Sequence, residues 1–161
     1  MSQVHLHLLI THLPIFGSIL GALVLIYALW SRSDHTKSAA YLLFIVSGIG
    51  AGVAYLTGEG AEDAVEDIAG VAETMIKQHE VFAMYALVAL IVLGVFSLIA
   101  LFLTYHKSRY NRTVAIISLI VSLIGFALVA RTGYLGGQIR HTEIGNGSVI
   151  NNGGGGEKDN D

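Results

Sequence analysis

Four apolar blocks limit what this chain can fold into: Leu13 to Trp30, Ala39 to Thr57, Val81 to Tyr105 and Val114 to Leu135. Each approaches the roughly 20 residues that a helix needs to cross a hydrocarbon layer about 30 Å thick. Inside lipid a segment must satisfy its own backbone hydrogen bonds, which a helix does and an open strand does not. The composition, 53% hydrophobic and 13% charged over 161 residues, leaves more apolar surface than a soluble domain of this size can hide. The expectation is an all-α membrane protein, a four-transmembrane-helix bundle whose first partner is the lipid bilayer. With no cysteine, disulfides, thiolate metal sites and c-type haem attachment are excluded. A net charge of -3 and scattered basic residues argue against nucleic-acid binding.

No Lys or Arg precedes the first block, and the block is too long for a signal-peptide core, so it is expected to stay as a helix. Pro14 is tolerated in a first helical turn, which places the helix start near Thr11 or His12, with Thr11 as N-cap. Residues 1–10 then form a separate amphiphilic lead-in at the interface. Between spans two and three, Glu59, Glu62, Asp63 and Glu66 alternate with Ala61, Val65 and Ile68 at helical spacing. That pattern predicts a short amphipathic surface helix ending at Gly70. A further helical stretch from about Val71 is expected to run through His79 into span three. The transmembrane domain is read as residues 1–145, and the Gly-rich acidic tail 146–161 as disordered.

Arg32, Lys37, Lys107, Arg109 and Arg112 fall in or beside the two short connections on one side, which the positive-inside rule makes cytoplasmic. Both termini and the 58–78 connection then face outward, in a bacterium toward the periplasm. Glycines four residues apart, Gly17 with Gly21, Gly48 with Gly52 and Gly133 with Gly137, predict close helix contacts or a slot for a flat cofactor.

This topology gathers polar groups at one mouth: His5, His7 and His12 from span one, Glu59 and Glu62 from span two, His79 and Glu80 from span three, and Arg131, Gln138 and His141 from span four. His5 reads as an interfacial anchor, and His35 and His106 as solvated. His12, just inside the first turn, calls for a hydrogen-bond or metal partner. Arg131 calls for an anion, either Glu59, Glu80 or a haem propionate. Two chemistries fit. Haem b would use His7, His12, His79 and His141 as the ligand pool, with Arg131 at its propionates. A bare iron, copper or zinc ion would draw on His12, His79, His141, Glu59, Glu62 and Glu80. No serine–histidine–acid or HExxH pattern supports hydrolysis.

The segment HLHLLITHLPIF, with His7 and His12 followed by x-Pro, resembles the opening of the bacterial four-helix membrane proteins grouped as the domain of unknown function 2231 family. The closing stretch TGYLGGQIRHTEIG is similar to that family's G-x-L-G-G-x-x-x-x-H pattern at Gly133, Leu135, Gly136, Gly137 and His141. Leu8 replaces the family's proline, and GEGAED is unlike its usual turn. The resemblance, over about Val4 to Gly145, implies a compact four-helix fold and histidines that bind haem or metal in redox-linked membrane systems. The resulting expectation is an electron-transfer or accessory subunit rather than a stand-alone enzyme. Its expected partners are a respiratory or periplasmic redox protein and further copies of itself. The competing expectation is a cofactor-free structural or assembly subunit.

Overall fold

The computed structural model describes residues 3–66 and 73–140, and among these no strand is found. Five helices follow one another: α1 Gln3–Ile10, α2 His12–Ser31, α3 Asp34–Glu66, α4 Glu73–Tyr105 and α5 Asn111–Arg140. Segments His5–Ser31, Asp34–Gly58, Thr74–Tyr105 and Asn111–Gln138 are each long and apolar enough to cross a membrane. The fold is an up-down-up-down bundle in which α2 packs on α3, α3 on α4, α4 on α5, and α5 closes back on α2. The core is built from Leu25, Tyr41, Phe44, Leu90 and Leu93, all fully buried. The outward side chains are apolar as well, including Leu23, Ile49, Val95 and Ile124, as lipid contact demands. Exposed Trp30, Tyr105 and Tyr110 ring one end, and Tyr85 and Tyr134 the other. Between Tyr85 and Tyr105 α4 rises about 30 Å, the thickness of a hydrocarbon core. We call the end with the two short connections the loop end, and the opposite one the histidine end.

Three sequence expectations change. The lead-in is helix α1, and it packs along α3 in line with α2 rather than separately at the interface. Thr11 does not cap α2 with its side chain; its N–H donates to His7 O at 3.0 Å and its hydroxyl to Leu8 O at 2.9 Å. The path is therefore almost one helix, interrupted where Pro14 cannot donate to the carbonyl four residues before it. On the other side, the acidic stretch does not start a separate surface helix, because α3 runs unbroken through Glu66. Gly70 and the tail 146–161 lie outside the described residues. The expected continuity of His79 with span three is present in α4.

Glycines set the helix spacing, though not all of those the four-residue pattern selects. A Cβ at Gly48 would lie 2.9 Å from the Leu90 carbonyl oxygen, and one at Gly17 would lie 2.8 Å from the Ser47 Cβ. Gly21 is similarly closed by the Phe44 ring. By contrast, Gly52 and Gly137 face open space, while Gly50 and Gly125, outside the pattern, seat Leu13 and Leu90. Gly48→Val is expected to destabilise the bundle by about 1–3 kcal/mol, the usual cost of overpacking. Gly52→Ala should stay within about 0.5 kcal/mol. Reversible unfolding in mixed micelles measures both.

Candidate functional site

At the histidine end, two imidazoles are held in the same way. His7 on α1 donates from Nδ1 to the Ala54 carbonyl on α3 at 2.9 Å, with Thr57 Oγ1 at 3.2 Å. His79 on α4 donates from Nδ1 to the Thr132 carbonyl on α5 at 3.0 Å. A carbonyl oxygen only accepts, so each Nδ1 carries a proton, and in the neutral ring the lone pair then lies on Nε2. In both cases a glycine one turn beyond the carbonyl lies beside the ring. A Cβ at Gly58 would be 3.6 Å from His7 Cε1, and one at Gly136 3.1 Å from His79 Cε1. The two hairpins of the bundle therefore carry the same clamp, an imidazole bonded to a helix carbonyl and seated beside a glycine. Among the described residues neither Nε2 makes a hydrogen bond.

The other expected site residues are placed differently. His12 is exposed, stacked on Phe16 at 6.0 Å, and its Nδ1 donates to Leu8 O of the preceding turn at 2.7 Å. Its polar need is met locally, on the same side of α2 as the exposed Phe16 and Leu20. Arg131 is exposed, with its guanidinium over the Phe82 and Tyr134 rings at 5.6 and 5.4 Å. Among the described residues it forms no ion pair; aromatic faces attract the cation where a carboxylate was expected. Glu80 is exposed. The side chains of Glu59 and Glu62, and all of His141, lie outside the described residues. Among those described, no three histidines or carboxylates gather as a metal-ligand group. No family model, curated protein or solved structure matches the chain.

A second polar centre, at the loop end, was not expected from the sequence. Lys37, only 7% exposed, donates to Asp34 Oδ1 at 2.9 Å and reaches Asn111 Oδ1 at 3.4 Å. Asn111 donates from Nδ2 to Asp34 Oδ1 at 2.9 Å and accepts from Thr104 Oγ1 at 3.0 Å. Helices α3, α4 and α5 are thus tied together beside the connections. The connections themselves are alike. Each ends a helix on a basic residue of positive φ, Arg32 at 54° and Lys107 at 51°. In each the following serine N–H closes the turn, Ser33 to Ala28 O and Ser108 to Leu103 O. The sequence signal was the spacing of Lys37 from Asp34, which reads as an ordinary surface pair until tertiary packing buries the lysine.

Two outcomes follow. Gly136→Val should push His79 off its carbonyl, so that its Nδ1 proton, protected in the parent protein, exchanges with water; Gly137→Ala, into open space, should leave it protected. Nitrogen-15 NMR of labelled histidine reads both. At the loop end, Asp34→Ala should cost more stability than Lys37→Met by about 1 kcal/mol or more, because it strands a buried ammonium. Equal losses in an unfolding titration would contradict that assignment.

Proposed function

We propose that the chain binds haem b through Nε2 of His7 and His79 and acts as a small electron-transfer subunit of a membrane system. The observation that supports this is the matched pair of rings, one from each hairpin, each with its tautomer set by a backbone carbonyl and its Nε2 left as a lone pair. A carbonyl bond on the remote nitrogen is the arrangement that orients a metal-ligating imidazole. The number of rings favours haem over a bare ion. Structural zinc sites draw about four protein ligands, whereas a porphyrin brings its own four nitrogens and asks only for axial ones. Arg131, beside the carbonyl that holds His79, is a cation suited to a propionate. Gly136, at the seat of His79, belongs to the stretch that resembles the domain of unknown function 2231 proteins. With the basic connections cytoplasmic, this end and both termini face the periplasm of a bacterial inner membrane, where a respiratory or periplasmic redox protein would exchange electrons with it.

One observation favours a second reading, that of a cofactor-free structural subunit: each Nδ1 bond also fastens two helices together. Spectra separate the two. Protein purified from haem-sufficient cells, or reconstituted with haem b, should show a low-spin six-coordinate difference spectrum. Both His7→Ala and His79→Ala should abolish it while the bundle stays folded. A colourless, well-folded parent protein that takes up no haem would exclude the first reading. The variants would then lose only an interhelical bond, on average about 0.6 kcal/mol in a membrane.

A further inference from the structure

Polar side chains inside a membrane bundle find partners, and among the described residues of this bundle three are left short of them. Tyr41 on α3, Ser97 on α4 and Ser118 on α5 are fully buried; the Ser97 and Ser118 hydroxyls make no hydrogen bond, and the Tyr41 hydroxyl stands beside the Thr104 side chain without a bond of good geometry. The other buried serines behave as expected in lipid: Ser18 and Ser122 return their protons to their own helices, at Pro14 O and Leu119 O, and Ser47 donates across to Pro14 O. The three orphans are not scattered. Along the α4–α5 seam, Thr104 bonds Asn111 and Leu90 fills the space at Gly125. Ser97 and Ser118 stand midway between those two contacts on both helices, seven residues, or two turns, from each. They therefore face each other across the seam. Measured along the helices they lie about 10–12 Å inside Tyr105 and Asn111, at the level of Tyr41. The Tyr41 hydroxyl in turn lies beside Thr104, the member of the loop-end network nearest the interior.

We propose that Tyr41, Ser97 and Ser118 bind internal water within the apolar bundle, forming a hydrated site reached from the loop end past Lys37, Asn111 and Thr104. The donor inventory suits water. A buried water typically makes about three hydrogen bonds to otherwise unpaired groups, and hydroxyls, each able to give and to accept, line the path in turn: Tyr41 beside Thr104 nearer the loop end, then Ser97 and Ser118 further in. A metal cation fits poorly, since no carboxylate faces the seam at this level and the Lys37 ammonium stands at the entrance. The site is separate from the histidine pair, and carries solvent protons into a region whose flanking layers are leucine and phenylalanine.

The chain has no cysteine, so Ser97→Cys and Ser118→Cys each introduce a single thiol whose S–H stretch is visible by infrared. On transfer to D2O both thiols should exchange faster, by about an order of magnitude or more, than that of Ala22→Cys, a fully buried position on α2 at comparable depth. Thr104→Val, which closes the route, should slow both. Exchange as slow as at Ala22→Cys, or unmoved by Thr104→Val, would overturn the proposal. Should a cysteine variant fail to fold, Ser97→Ala, Ser118→Ala and the double variant form a second test. Shared water makes the double loss of stability smaller than the sum of the single losses, and strict additivity would count against it.

Discussion

In lipid no hydrophobic force draws helices together, because a leucine is as comfortable against acyl chains as against another leucine. The fold rests on that constraint. What remains is dispersion at close backbone approach and a small number of hydrogen bonds that cannot be exchanged for water. Gly48 against the Leu90 carbonyl and Gly17 against Ser47 supply the close approach. The polar bonds sit at three depths: the imidazole clamps at one end, Ser47 on the Pro14 carbonyl within the bundle, and the Asp34–Lys37–Asn111–Thr104 knot at the other. The apolar bulk between them fills space and faces lipid without selecting one register over another. Register is chosen by these few contacts.

The four spans and the bundle were legible because length and hydropathy act over whole segments and do not depend on a neighbour. His7 and His79 were legible as residues worth attention, since topology alone brings them to one end. Their tautomers were not legible, because the carbonyls of Ala54 and Thr132 carry no side-chain signature. The partner that His12 calls for is a hydrogen bond to Leu8 O one turn back, which depth in sequence does not reveal because it says nothing about which way a helix face turns. Arg131 was assigned an anion by charge, whereas its neighbours are the rings of Phe82 and Tyr134. At the loop end, Lys37 counted only as one of the basic residues of the connections, because its burial comes from three helices converging, a fact present in no local pattern. The glycine spacing was a partial guide, as it marks what can pack closely and not what does.

Both hairpins turn on a charged residue at positive φ, although the chain holds 19 glycines, and glycine would adopt that conformation without penalty. An L-residue in this region costs roughly 1–2 kcal/mol. That cost is carried by the turn each residue sits in, where the N–H of the next serine reaches back to the helix, Ser33 to Ala28 O and Ser108 to Leu103 O. A glycine at either position would relax the turn, and the stability it returned would measure how much the two connections hold in strain.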